Sequence, residues 1–160
     1  MGKEIIIVTI SLGNDGAERI LTELARQWHH DGHEITVIQT SPNRYGTEYA
    51  LPEGIEQIQI HTTSSNKILR FLQEIKALIG ILKQRPNATC LSFLSASSFI
   101  LAISSWFVKN RMVFSERNNP RKVPVGKHQQ MLRDFAFRFA DALVFQTEDA
   151  KSYFSNSIQR

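Results

Sequence analysis

Two short polar stretches carry the residue types most able to do chemistry. In "SLGNDGAE", Gly13, Asn14, Asp15, Gly16 and Ala17 make a glycine-bracketed turn directly after the apolar run Glu4 to Ile10. Backbone N–H groups left free where such a turn opens a helix can cradle an anion. Capping explains the same residues without any ligand: Asp15 as N-cap and Glu18 three positions on read as a capping-box-like pair. A dinucleotide fingerprint is disfavoured, because it needs G-x-G-x-x-G and an acid ending the next strand, which here ends in Gln39 and Thr40. A P-loop is excluded, since Gly16 is followed by Ala17 and Glu18 rather than by Lys and Ser or Thr. The second stretch, "SERNNPRK", sets a carboxylate, a planar guanidinium and two amides side by side in Glu116, Arg117, Asn118 and Asn119. Such a set can hydrogen-bond a polar or anionic ligand. It can equally bond to itself around an Asn119-Pro120 turn.

Apolar periodicity supplies the elements that would hold these residues. Strands are expected at Glu4 to Ile10, Glu34 to Gln39, Ile55 to His61, Ala88 to Phe93, Arg111 to Ser115 and Ala142 to Gln146. Helices are expected at Ala17 to Asp31, stopped by Gly32, at Asn66 to Gln84, from the "SASS" turn to about Val108, and from about His128 to Ala140. A last short helix begins at Thr147 as its N-cap, with Glu148 and Asp149 complementing the helix dipole. The stripe of the long helix reads Ile68, Leu69, Leu72, Ile75, Leu78, Ile79 and Leu82. Strands alternating with helices imply an α/β fold, a Rossmann-like parallel sheet with helices on both faces and right-handed crossovers. Ligands in such sheets bind beyond the carboxyl ends of the strands. That rim collects "SLGNDGAE", "SPNRYGTE", "LSASS" with Ser95, "SERNNPRK", and "QTED" with Gln146 and Thr147.

A chain of 160 residues that is 42% hydrophobic can bury a core as one domain. Its 19 Lys and Arg against 15 Asp and Glu suit anionic ligands or a membrane surface without demanding nucleic acid. Nor do aromatics interleave with the basic residues as a single-strand binder would need. The lone cysteine, Cys90, lies in an apolar strand and reads as a buried, reduced, intracellular thiol. No basic start followed by a long apolar segment marks a signal peptide. The uncharged stretch Asn87 to Val108 is long enough to span a bilayer, but its six serines and central small-residue break favour a buried strand, turn and helix.

Other clusters read as structural. His29, His30 and His33 crowd a helix end in no known zinc spacing, and no metal site is expected. Trp28 and Trp106 fall on apolar stripes and are expected in the core. Lys109, Arg111, Arg121, Lys122 and Lys127 concentrate positive charge around one strand, a solvated face by default. Glu48 and Glu56 stand eight apart in a Pro/Gly loop and the strand after it, a spacing read as chance.

Three blocks together resemble the retaining glycosyltransferases of family 4. "GNDGAERILTELARQWHHDGHEITVIQT" is similar to their first strand-loop-helix-strand, usually G-G-A-E-R followed by G-H-E-V-T. "FSERNNP" resembles "SERNDP", and "FAFRFADALVFQTEDAKSYF" resembles "ADAVVFQT" followed by an "EEAKxYF" helix. Asp15 stands where the family has the first glycine of its pair, and Asn119 where it has Asp. The resemblance spans Met1 to about Arg160. It implies one half of a GT-B architecture: residues 1–160 as the N-terminal, acceptor-side domain, with a donor-binding C-terminal domain absent from this chain. The implied reaction moves a sugar from a nucleotide-diphosphate sugar to a glycan or lipid-linked hydroxyl with retention, without metal or other cofactor. Gly13 to Ala17 would close over the donor diphosphate, Glu116 to Asn119 would meet the acceptor, and Ser95, Gln146 and Thr147 would line the cleft rim. The isolated domain would be inactive. The setting implied is bacterial cell-envelope polysaccharide assembly in the cytoplasm, at the inner face of the membrane with peripheral contact through basic residues. A non-catalytic α/β ligand-binding or regulatory module is the alternative.

Overall fold

Six extended runs pair side by side, and the two richest in Ile and Val, Glu4–Thr9 and Glu34–Gln39, are largely buried on both faces, as inner strands of a parallel sheet require. In the computed structural model, which describes residues 2–13, 16–41, 50–93, 95–117, 120–122 and 126–159, the elements in chain order are β1 (Glu4–Thr9), α1 (Gly16–His30), β2 (Glu34–Gln39), β3 (Glu56–Gln59), α2 (Lys67–Gln84), β4 (Thr89–Ser92), α3 (Ser95–Ser104), β5 (Arg111–Glu116), α4 (Lys127–Phe137), β6 (Ala142–Phe145) and α5 (Glu148–Ser152). The sheet order is β3-β2-β1-β4-β5-β6, and every pairing is parallel. This is the expected Rossmann-like sheet, with its order reversing between β1 and β4.

The two faces follow from the two-residue period of the strands. Ile6, Val8, Ile38, Cys90, Met112 and Phe114 point to one side, where Leu78 and Leu82 of α2, Leu101 of α3 and Phe137 of α4 cover them. Ile7, Ile35, Val37 and Leu91 point to the other, where Leu21 and Ala25 of α1 lie, with Trp28 packed beside them. Cys90 is fully buried, and that burial, with a smaller push from Glu4, raises its thiol to about 12. No described helix is long and apolar enough to cross a membrane.

Helix ends follow local chemistry. Gly32 takes φ +83°, so the amide of Gly32 reaches the carbonyl of His29 (3.0 Å) and that of His33 reaches Trp28 (2.9 Å), a Schellman closure of α1. The Asn66 side chain caps α2, accepting from the amides of Ile68 (2.9 Å) and Leu69 (3.3 Å).

Three expectations need correction. The stripe of α2 is buried at Ile75, Leu78 and Leu82 but open at Ile68, Leu69 and Leu72, which are 71%, 54% and 54% exposed. Length explains this: 18 residues of helix run about 27 Å, and strands of four to six residues run about 13–20 Å. Entering from the carboxyl rim, α2 overhangs the sheet by its first turns, which find no strand beneath them. Helix α3 stops at Ser104, short of Val108. The Ser104 and Ser105 hydroxyls donate to the carbonyls of Ile100 and Ala102, and the chain turns away. Trp106, beyond that end, is 59% exposed and touches Phe135 and Phe139 edge-on rather than filling the core.

The amino edge of the sheet is held by Arg85. Its guanidinium donates to Thr36 and to Glu56 (2.6 Å), and its Nε lies 3.9 Å from Glu4. Asn110 Nδ2 donates to the carbonyls of Arg85 (2.7 Å) and Ala88 (3.1 Å), tying α2, β4 and the start of β5 together. Glu56 is thereby a structural residue at the edge opposite the ligand rim. Replacing Arg85 with Met should lower stability by about 1–2 kcal/mol, the worth of charged hydrogen bonds discounted for partial exposure. Urea denaturation checks this through a lower midpoint at unchanged slope; an unmoved midpoint would refute it.

Candidate functional site

Because all six strands run the same way, their carboxyl ends share one rim. The loop after β1, the start of α3 at Ser95, Glu116 at the end of β5 with Arg117 after it, and Gln146 and Thr147 after β6 therefore gather on one edge, as the sequence led us to expect. Asn14, Asp15, Asn118 and Asn119 lie outside the described residues. The rim is laced by backbone bonds: Thr40 donates to Thr9 (3.0 Å), Ser41 to Ile10 (2.8 Å) and Ile60 to Gln39 (2.8 Å).

At the β1–α1 loop, Gly16 opens the helix and is exposed, with nothing near where a side chain would stand. Such a first turn has amides without intrahelical acceptors. Glu18 behaves differently from a surface capping residue. It is 5% exposed, its Oε1 accepts from the Ser11 hydroxyl (3.1 Å), and a Cβ on Gly13 would stand 3.0 Å from its Oε2. Gly13 is thus the opening through which a buried carboxylate supports the loop from behind.

The "SER" stretch is split by strand geometry. Neighbouring residues of an extended chain face opposite sides. Glu116 turns to the α4 side, where it is 6% exposed and 3.9 Å from Arg133, itself 3% exposed. Arg133 also donates twice to Asp134 Oδ1 (3.0 Å each) and lies 4.6 Å from the Phe154 ring centroid. Arg117 turns to the α1 side, its guanidinium 5.6 Å over the Phe93 ring. With the Gln146 amide oriented by its partners, its nitrogen donates to the Arg117 carbonyl (2.7 Å) and its oxygen accepts from Arg117 Nη2 (3.0 Å). Arg117 Nε is buried without a partner among the described residues. The structure therefore brings Arg117 and Gln146 together and sets Glu116 apart, so the two neighbours do not form one patch. Thr147 caps α5, accepting from the amide of Ala150 (3.1 Å).

The basic residues do not form one surface either. Arg111 begins β5, with Lys109 before it, whereas Arg121 and Lys122 follow β5 and Lys127 opens α4; a strand of six residues, about 20 Å, lies between the groups. Arg121 is also engaged, 3.6 Å from Asp149 and 5.9 Å from the Tyr153 ring centroid.

Beside this rim opens a cleft of about 490 Å³, framed by the ends of β1 and β2 and the first turns of α2, α3 and α4. Phe71, Phe99, Ile100 and Leu132 make it largely apolar. Arg70 and Glu74 separate it from a smaller, polar hollow of about 230 Å³ reached by Thr40, His61, Thr62 and Ser64. The outer wall of that hollow is braced, because Gln73 accepts from the amides of Thr63 (3.1 Å) and Ser64 (3.4 Å). Glu74 is 9% exposed, and burial raises its carboxyl above the usual range against the opposing pull of Arg70, 3.8 Å away. Sequence reasoning did not single out either residue. One signal was present: Glu74 lies three after Phe71 and four before Leu78, a charge set into the apolar stripe. Among the described residues no three His, Cys, Asp or Glu side chains come together as a metal site.

A parallel α/β domain with polar loops and a cleft at the carboxyl rim is the architecture of one half of a GT-B enzyme. The sequence pattern of Glycosyltransferase Family 4 matches residues 14–159, and the chain belongs to that family. Among solved structures it is similar to Anabaena Alr3699/HepE in complex with UDP, at TM-score 0.73 and 14% identity over 98% of this chain and 41% of that one. Sucrose-phosphate synthase from Thermosynechococcus elongatus aligns at TM-score 0.74 and 6% identity, over 94% and 44%. UDP-GlcNAc 2-epimerase from Methanocaldococcus jannaschii aligns at 0.68 and 14%, over 95% and 41%. The chain thus spans less than half the length of these proteins. No curated protein sequence matches it.

The Glu116–Arg133 pair yields a stability prediction. Arg133→Met removes the cation beside a buried carboxylate and should cost about 3 kcal/mol, of which adding Glu116→Gln should return at least half. Thermal melts of the single and double variants decide; equal losses would refute the pairing. Glu74 sets a pH dependence. Its raised pKa makes the folded protein hold a proton that the unfolded chain has released, so stability falls as pH climbs through and above the usual carboxylate range. Glu74→Gln should therefore be the more stable protein at pH 7 and level with the parent below pH about 4. A constant gap across pH would contradict this.

Proposed function

We propose that this chain is the acceptor-side half of a retaining glycosyltransferase. In the reaction, the bond from the anomeric carbon of a nucleotide-diphosphate sugar to its phosphate oxygen breaks. A bond forms on the same face of that carbon to a hydroxyl of a glycan or glycolipid, and the hydroxyl proton leaves with the phosphate or to solvent. The observation that carries this reading is the convergence, on one rim, of Gly13, Gly16 and Ala17, the Arg117–Gln146 pair and an amphiphilic cleft, in a chain whose family is Glycosyltransferase Family 4.

Each part has a physical task. The first-turn amides of α1, around Gly16 and Ala17, present the positive end of the helix dipole and would stabilise charge developing on the departing diphosphate. Arg117, fixed by Phe93 below and Gln146 beside it, keeps its guanidinium preorganised for an anionic or hydroxyl-rich partner. The donor nucleotide is bound by a second domain, which closes over this rim. HepE was solved with UDP and with UDP-glucose, and the shared fold supports a nucleotide sugar as donor here. The apolar cleft wall and the overhanging residues of α2 are consistent with work at the cytoplasmic face of a membrane during cell-envelope polysaccharide assembly. A non-catalytic module would use the same loops without chemistry.

The 160-residue chain alone should transfer no sugar from any of a panel of nucleotide-diphosphate sugars, measured with radiolabelled donors. Turnover by this chain alone would overturn the division of labour. In the two-domain protein, Arg117→Ala and Gln146→Ala should each lower kcat/KM about tenfold or more, the loss of one charged hydrogen bond at the reacting centre. Unchanged kinetics in both would remove the pair from the site.

A further inference from the structure

Where the polar hollow meets the apolar cleft, the wall between them is shared. Thr40, Ser41, Arg70 and Glu74 line both. On one side lie His61 and the hydroxyl-bearing Thr62 and Ser64; on the other lie Phe71, Phe99 and Leu132, with Gln129 and Arg133 at the α4 end of that mainly apolar wall. We propose that Arg70 and Glu74 are the acceptor-selecting pair, binding hydroxyls of one sugar ring in the polar hollow while an apolar portion of the same acceptor lies on Phe71, Phe99 and Leu132. This rests on the glycosyl-transfer reading and adds to it the residues that choose the acceptor.

Three observations carry the assignment. At 3.8 Å, Arg70 Nε and Glu74 Oε1 attract each other without forming a hydrogen bond, so a planar donor and a two-oxygen acceptor both keep capacity for a ligand. Their burial differs usefully: the Glu74 side chain is 11% exposed and that of Arg70 is 52%, so the carboxylate is fixed at depth while the guanidinium can swing over an occupant. The two compartments also differ in size and lining, about 230 Å³ with hydroxyls against about 490 Å³ with aromatic rings. The smaller is on the scale of one pyranose ring. The apolar side continues outward along α2, where Ile68 stands one turn before Phe71 and is 71% exposed. A wholly polar glycan would leave that wall wet, and a plain hydrocarbon would leave the buried carboxylate unmatched. A molecule with a sugar head and an apolar tail satisfies both.

The test uses n-octyl β-glycosides of glucose, galactose, mannose and N-acetylglucosamine, with the methyl glycosides and 1-octanol as single-ended probes. Amide shifts of the isotope-labelled protein are followed during titration below micelle formation. At least one octyl glycoside should bind tenfold or more tightly than both its methyl counterpart and octanol, with shifts at Thr62, Ser64 and Phe71 together. Glu74→Gln, which keeps volume, should weaken that glycoside about tenfold and leave octanol unchanged; Arg70→Gln, at a more exposed position, should do the same. Equal binding of octanol and every octyl glycoside, or glycoside binding indifferent to both substitutions, would overturn the inference. In transfer assays of the two-domain protein, Glu74→Gln should raise the acceptor KM with kcat little changed. Transfer with an unaltered KM would refute the pair while leaving glycosyl transfer standing. Glu74-dependent glycoside binding without transfer from any donor would refute the transferase reading while leaving the site standing.

Discussion

The central strand β1 governs everything else in this domain. It pairs with β2 on one side and β4 on the other, both parallel, over six and four residues of register. Parallel neighbours cannot be joined by hairpins, so each connection must cross a face of the sheet and return to the starting edge. Every strand then delivers its exit loop to the same rim. With β1 at the reversal of strand order, the loops after β1 and β4 diverge and leave a crevice between them. No residue at the rim needed to encode that gathering; the direction of hydrogen bonding in the core does it.

Charge is buried here in three different ways, and the differences separate scaffold from site. Glu18 is enclosed behind a loop with a serine hydroxyl as one of its partners, which suits a brace. Glu116 lies 3.9 Å from the Arg133 guanidinium, both almost fully buried, and has a further partner besides; Arg133 itself forms part of the cleft wall. Glu74 is desolvated enough for its carboxyl to be raised, and its cation, 3.8 Å away, lines the same two hollows. The third keeps hydrogen-bonding capacity on both partners for an occupant of the cleft. A raised acid beside a charge partner in a cleft marks a candidate ligand site.

Much of the scaffold was legible because each element signals itself locally. Gly32 could be read as the stop of α1 since only a residue tolerant of positive φ closes a Schellman turn without strain. Asn66 and Thr147 were legible as helix starts for the same kind of reason. The site was less legible, because its geometry arises between elements. Glu116 and Arg117 are adjacent in sequence and look like one polar group, but their sides were decided by the pleat of β5. Trp106 fits an apolar stripe only if α3 continues, and two serine hydroxyls end it first. Arg70 and Glu74 look like ordinary solvated residues until the lengths of helix and strand are compared.

That comparison joins fold to function. A helix no longer than its sheet would have buried Ile68, Leu69 and Leu72 and left no apolar wall at the rim. Extending α2 by two turns costs exposed hydrophobic surface, which a soluble domain normally avoids. The extension lifts Phe71 to face Phe99, with ring centroids 5.9 Å apart, and so builds one side of the cleft from residues whose periodicity is that of a core. Helix α4 contributes Leu132 from the opposite side, 41% exposed. The cleft is in this sense a core left incomplete at one end, with its missing layer replaced by whatever occupies it. Its polar boundary is then a necessity, because an apolar hollow open to water at a charged rim needs groups that fix the depth and orientation of the occupant. Arg70 and Glu74, one helical turn apart at that boundary, are the residues in position to do so.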